Sequence, residues 1–354
     1  RANLPISDDI DPAQTDDNYP GKQFNVVTYT GNNGAQSVTG VGFKPDLVWL
    51  KARNGAQHHA LFDSSRGVLK RLGSSRTNAE DTFSGFLSSF DTDGFSFGGA
   101  DNTQNGSYNY VGWCWRANGG TTASNSNGAI SSTVQANQAA GFSIVQWTAN
   151  ATSSVATTVG HGLSKAPEFV ITKSRDSAGN WCVTHTGLSS TSHMLFLNSS
   201  GAETDKSGNG SMSANTSTVF SVNATDGSNA PNTDAMVAYC WHSVDGYSKF
   251  GSYIGNGNAN GPFIYTGFRP RMIFVKRSST TGGWWVFDSA RDIHNPVDQY
   301  VGWHSSGSES SGSNIDFLSN GFKLRTSDGD FNGSGTTIIY GAWGDVPFKY
   351  NNTF

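Results

Sequence analysis

Gly42-Phe43-Lys44-Pro45-Asp46-Leu47-Val48-Trp49-Leu50-Lys51 decides how this chain is read, because it recurs. Diverged copies stand at Lys165-Ala166-Pro167-Glu168-Phe169-Val170-Ile171-Thr172-Lys173 and at Gly267-Phe268-Arg269-Pro270-Arg271-Met272-Ile273-Phe274-Val275-Lys276. In each, a proline precedes a short β-branched or aromatic run, and a lysine follows the proline by six residues. Proline has no N–H to give to a ladder, which suits it to the first residue of a strand. The run after it is too short for a helix. Each copy therefore predicts a buried strand beginning at Pro45, Pro167 or Pro270.

Other landmarks keep the same offsets. Twelve residues after the lysine come Asp63, His185 and Asp288, preceded by Ala60-Leu61-Phe62, Cys182-Val183-Thr184 and Trp285-Val286-Phe287. Further on lie Phe95-Ser96-Phe97, Phe220-Ser221-Val222 and Phe322-Lys323-Leu324, and each copy closes on a strand that ends at Trp115, Trp241 or Trp343. Four landmarks in one order mark three diverged copies of a domain of about 100 residues, a common domain size. Strand-like runs alternate with Gly/Asn/Asp turns and show little helical periodicity. The fold class expected is all-β, with three tandem repeats, each a small antiparallel β-sandwich of jelly-roll or lectin-like type. A three-bladed propeller fits less well, because propeller repeats usually run about 40–50 residues.

Composition agrees. Of 354 residues only 14% are charged, while aromatics reach 12% and glycine numbers 43, so the chain is too apolar for disorder and rich in turn formers. A net charge of -4 argues against nucleic acid as the main partner, and no apolar run reaches the ~18 residues of a membrane helix. The sequence starts at Arg1 rather than Met, so a fragment or processed product is expected, from which a targeting segment could have been lost. Cys114 and Cys240 share one repeat position, held by Ala342 in the third copy. A small buried thiol explains that exchange better than a disulfide. No C-x-x-C spacing suggests a metal, and no cofactor is expected.

The expected organisation is an acidic arm over 1–21, a first repeat over 22–117, a Ser/Thr/Asn/Gly linker over 118–139, a second repeat over 140–246 and a third over 247–354. The polar linker predicts a first domain set apart, or a crossover along a surface. Within the first repeat, Ser65 to Leu72 is the one segment that reads as a helix, of about two turns.

Few residues suggest chemistry. Gly94-Phe95-Ser96-Phe97-Gly98 matches a nucleophile elbow by letters, but Phe95 and Phe97 alternate around Ser96 as in a strand, and no helix follows. Asp91-Thr92-Asp93-Gly94 and Asp328-Gly329-Asp330 read as turns. Asp63 with Arg66, and Asp288 with Arg291, form the recurring polar pair. An aspartate three residues before an arginine at a strand end can make an ion pair that fixes a turn. Among the aromatics, His59, Trp181 and Trp284 share one position, and Trp303 sits in a polar stretch. These four are the candidate binding residues, either core packing or platforms for a sugar ring or another subunit. No catalytic residue and no metal ligand is assigned.

Tyr29 to Arg53, with Gly-Val-Gly-Phe-Lys-Pro-Asp-Leu-Val-Trp-Leu-Lys at its heart, and then His59 to Gly67, resemble a repeat domain in virion proteins of marine tailed bacteriophages. Gly246 to Tyr253, Phe287-Asp288-Ser289, Asn320 to Lys323 and the terminal Pro347-Phe348-Lys349-Tyr350 extend the likeness over nearly the whole chain after about residue 20. The resemblance implies a non-enzymatic phage structural protein, a tail-fibre or adhesin component in host attachment, located in the virion. It brings no catalytic residues with it. The partners implied are other copies of the chain (a homo-oligomer, a trimer by analogy with phage fibres), other virion proteins and a host surface glycan. Alternatives are a capsid decoration or head-fibre protein, a glycan-binding lectin-like module, and a polysaccharide depolymerase. The second copy departs most, with His185 for aspartate and no arginine counterpart.

Overall fold

The computed structural model describes residues 19–99, 106–150, 156–207, 214–223 and 227–344. The arm before Tyr19 and the terminal Pro347-Phe348-Lys349-Tyr350 lie outside the described residues. The fold is nearly all-β, built from antiparallel sheets.

Each copy lays down a main sheet with the same strand order. An opening strand (Phe24–Thr30, Phe142–Thr148, Ser248–Ile254) pairs with the closing strand (Asn109–Trp115, Ala235–Trp241, Thr337–Gly344). The closing strand pairs in turn with the post-proline strand (Leu47–Ala52, Phe169–Ser174, Pro270–Arg277), which pairs with the strand ending at the Asp/His landmark (Ala60–Asp63, Cys182–His185, Trp284–Asp288). Register repeats to the residue. Leu47, Phe169 and Met272 each stand opposite the closing tryptophan, Trp115, Trp241 and Trp343. Pro270 begins its strand, whereas Pro45 and Pro167 stand two residues before theirs. The intervening Asp46 and Glu168 give their backbone N–H to the carbonyls of Trp115 and Trp241 all the same.

A smaller sheet lies over one face of each main sheet: Gln36–Thr39 with Gly94–Phe97 and Leu87–Asp91, Thr157–Gly160 with Val219–Val222, and Phe263–Tyr265 with Gly321–Leu324 and Ile315–Leu318. Ser96 is thus a strand residue. Val48, Leu50, Phe62 and Cys114 of the first main sheet share one core cluster with Val38, Phe95 and Phe97 of its small sheet. Cys240 and Ala342 belong to the corresponding clusters of the other copies.

The other face of each main sheet is also covered. Leu47, Trp49, Leu61, Trp113 and Trp115 join Ile171, Trp181, Val183 and Trp241, and Met272, Phe274, Trp284 and Trp343, in one continuous buried cluster drawn from all three copies. Trp115, Trp241 and Trp343 meet at its centre with ring centroids 5.5 to 6.1 Å apart, every pair edge-to-face. Their indole N–H groups are buried and meet no hydrogen-bond acceptor. The edge-to-face geometry instead sets the positive edge of one ring against the negative face of the next. Burial on both faces explains why Leu47-Val48-Trp49-Leu50 is an unbroken apolar run rather than an alternating one.

Two sequence expectations are corrected. The stretch 118–139 is sheet rather than spacer: Ala123–Asn125 and Ser132–Asn137 add to the edge of the second main sheet, with Val134 opposite Val145. Its buried Gln135 amide bonds Ser64 and Ser65 of the first copy, so the first copy is tied down and not set apart. A composition average hides this strand, because polar Ser132 and Gln135 are buried in it beside Val134. Ser65 to Leu72 is not a helix. Gly67 and Leu69 take φ of 92° and 65°, and Asp63 folds the chain into a turn by accepting the Arg66 N–H at 2.8 Å.

Candidate functional site

The landmark residues lie on the seams where one copy meets the next. Asp63 Oδ2 accepts the Tyr239 hydroxyl at 2.7 Å. Asp288 Oδ2 accepts Trp113 Nε1 at 3.1 Å. Tyr239 and Trp113 hold the same place, two residues before the closing tryptophan. His185 reaches the carbonyl of Tyr340 with Nε2 at 3.1 Å. The seams therefore run first to second, second to third, and third back to first, a closed head-to-tail ring within one chain. Burial raises the Tyr239 pKa well above its ordinary value, which keeps the hydroxyl a donor.

Asp63 and Asp288 also hold Arg66 and Arg291 in buried ion pairs, the latter at 2.7 Å. Each arginine continues outward, Arg66 to Glu80 at 2.9 Å and Arg291 to Glu309 at 3.0 Å. These glutamates then cross their seams, Glu80 to Arg175 and Glu309 to Arg53, both at 2.9 Å. Their backbone N–H groups donate to the carbonyls of the same two arginines, and Glu203 N–H donates likewise to Ser278. Sequence reading missed Glu80, Glu203 and Glu309. Their offsets from the Asp/His landmark drift, at 17, 18 and 21 residues, so fixed spacing does not align them.

The four candidate binding residues are corrected. His59, Trp181, Trp284 and Trp303 are all at most 1% exposed, so none offers a ring face to a ligand at the surface. Trp181 Nε1 donates to the Gly73 carbonyl at 2.8 Å and Trp284 Nε1 to that of Phe196 at 3.0 Å; His59 Nε2 donates to that of Gly302 at 2.9 Å. Each bond crosses a seam back to the preceding copy. Trp303 stacks on Trp49 with centroids 4.2 Å apart. Its polar sequence neighbours misled, because the strand Tyr300–Gly302 just before it turns the indole inward.

The repeated lysines are buried too. Lys51 donates to the carbonyls of Ala52 and Gly55 at 2.6 and 3.2 Å, Lys173 to Ser174 and Ser177 at 2.7 and 3.0 Å, and Lys276 to Arg277 and Gly201 at 2.5 and 2.9 Å. Burial lowers each of the three to about 8. Among the described residues, no cluster of three or more His, Cys, Asp or Glu is arranged to hold a metal ion.

Two clefts open at equivalent places, beside the proline loop and the residue after the closing tryptophan. The first, of about 680 Å³, is lined by Lys22, Lys44, Arg116, Asn118, Asn137 and Gln138 among others. The second, of about 550 Å³, has Lys165, Glu168, His193, His242 and Asp245 in its wall. Both are open recesses of a size that admits small ligands, the first mainly polar and the second mixed.

A family model described as Domain of unknown function (DUF7483) matches residues 19–347. No curated protein and no solved structure matches the chain.

Proposed function

The chain belongs to the DUF7483 family, and we propose that it is a non-enzymatic structural protein of a tailed-phage virion, a tail-fibre or adhesin component that meets the host surface. The observation that carries this reading is the closed ring of seams. The buried titratable groups Asp63, Arg66, Asp288 and Arg291 join one part of the chain to another instead of facing a cleft. Such a body resists deformation, which suits a particle exposed to shear and to host enzymes. The motif-level likeness to phage virion repeats gives the setting. Three outward-facing sandwiches around one core supply within a single chain the threefold form that fibre proteins usually build from three chains.

Electron microscopy of intact particles with an antibody against this chain tests the proposal. Label on the tail tip or fibre is expected. Label on the capsid lattice would make it a decoration or head-fibre protein, and absence from particles would end the virion reading. A lectin-like role is favoured by one observation of its own, the open clefts beside the proline loops of the first two copies.

A further inference from the structure

The cleft of the first copy differs from its counterpart in charge. Lys22, Lys44 and Arg116 line it, and among the described residues no carboxylate does. Register fixes the equivalents, since Phe24, Phe142 and Ser248 stand opposite the closing tryptophans. Lys22, Lys44 and Arg116 then correspond to Ala140, Ala166 and His242 in the second copy, and to Gly246, Arg269 and Gly344 in the third. Two sister copies fold without this trio, so the fold does not demand it.

The two lysines are held in place by backbone carbonyls. Lys22 Nζ donates to the Gly42 carbonyl at 2.8 Å, and Lys44 Nζ to the Gly119 carbonyl at 3.3 Å. An ammonium has three donors, so each retains two for a ligand. Asp93 and Asp46 act on Lys22 and Lys44 through space, with no direct hydrogen bond to either. Asp93 accepts from the backbone of Gly40 and Gly42, and Asp46 from Ala117, Gly119 and the Ser64 hydroxyl. In the second copy, the longer Glu168 at the Asp46 position lines its cleft together with Asp245, and the charge there is mixed.

We propose that the first-copy cleft binds an anionic saccharide, one bearing uronate or sulfate groups. The lysines meet the acid, while Thr92, Asn118 and Gln138 along the same wall suit hydroxyl groups. The volume of about 680 Å³ is far more than a bare inorganic anion fills. The inference deepens the lectin-like reading and does not depend on where in a particle the chain sits.

The test is affinity electrophoresis of the full chain in gels carrying alginate, dextran sulfate or neutral dextran. Retardation by alginate, dextran sulfate or both, and not by dextran, is expected, and which polymer retards it identifies the acid group. Lys22→Gln with Lys44→Gln should weaken binding by about tenfold or more, as loss of two charge-assisted bonds implies. Lys165→Gln, in the second-copy cleft, should leave binding unchanged. Both first-copy positions are at the surface, so a thermal melt like that of wild type shows the fold intact; the single exposed change Lys44→Glu repeats the test if the double variant melts early. No retardation by either acidic polymer, or wild-type retardation of the lysine variants, overturns the proposal. So does displacement by inorganic sulfate at equal charge concentration, which marks a bare anion site. Failure here with tail label in microscopy would leave the virion reading standing, and the converse would leave the saccharide site standing.

Discussion

Trp113 Nε1 donates to Asp288 Oδ2 at 3.1 Å, and this bond joins the last copy of the repeat to the first. Tyr239 and Asp63 make its equivalent between the first and second copies. Where the third such bond would fall, Gly341 stands in place of the donor and His185 in place of the acceptor. The exchanges belong together. A Cβ on Gly341 would lie 2.4 Å from the Phe274 ring, so that ring takes the donor's space. A buried aspartate there would lack a donor, and His185 reaches the neighbouring Tyr340 carbonyl instead. The same seam has Leu188 where the others have Arg66 and Arg291, and Ser278 where they have Arg53 and Arg175. One seam has replaced its ionic network as a set.

The Tyr239–Asp63 bond predicts a measurable coupling. Tyr239→Phe leaves a buried carboxylate short of a donor and should cost about 1–3 kcal/mol. Asp63→Ala leaves Arg66 buried beside only Glu80 and should cost about 3–5 kcal/mol. Urea denaturation of Tyr239→Phe, Asp63→Asn and the double variant should show clear non-additivity; strictly additive losses would mean the two side chains do not interact.

Gly341→Ala should destabilise by roughly 1–3 kcal/mol, the usual penalty of overpacking a filled core. Phe274→Leu, by shortening the ring that fills the space, should reduce that penalty in the double variant. A harmless Gly341→Ala in the wild-type background would show that Phe274 yields easily and that the size exchange explains nothing.

Acid should loosen the seams of the third copy. His185 accepts the Gly187 N–H at Nδ1 and donates from Nε2 to Tyr340, an arrangement only the neutral ring satisfies. Burial pushes its pKa down to about 3, against an ordinary value near 6.5. His59, between Trp49 Nε1 and the Gly302 carbonyl, is held well below its ordinary value, chiefly by burial. Below pH ~6.5 the unfolded chain binds more protons, so stability is full above that pH and falls as pH drops toward 3, by about 1.4 kcal/mol per unit for each histidine. Thermal melts from pH 7 to 4 should show this, and His185→Gln should flatten the slope. An unchanged slope in that variant would remove His185 from the account.

The buried lysines predict a second rise of stability with pH, in mild alkali. With folded values of about 8 against 10.5, the unfolded chain holds more protons between those limits, so stability rises with pH there. The buried thiols of Cys114 and Cys240, raised by burial, oppose this above pH ~9, where unfolded thiols ionise. The clean window is pH 8 to 9. Lys51→Met should lessen the rise, and a wild-type stability that falls across this window would contradict the assignment.

Because the central cluster draws on every copy, the chain should melt in one transition, with calorimetric and van't Hoff enthalpies equal. Trp343→Ala should cost about 3–5 kcal/mol and lower that single transition as a whole. Separate transitions for the copies would show that each core stands alone.

The sequence by itself determined the all-β class, the triplication and the strand that repeats. These follow from local signals that need no partner: a proline, an apolar run of strand length and a lysine six residues on. It also located the Asp63/Arg66 and Asp288/Arg291 pairs, because both members lie three residues apart on one turn. What the tertiary structure alone decided is which residues from distant copies meet. Trp115, Trp241 and Trp343 read as three separate cores, yet they pack into one another. Trp303 read as either core or an exposed platform, and it is buried on Trp49, 254 positions away in the chain. A strand pattern reports that a side chain is buried on some face, but not what covers that face. The cover here is another copy of the same domain, and only closure of the ring brings it into place.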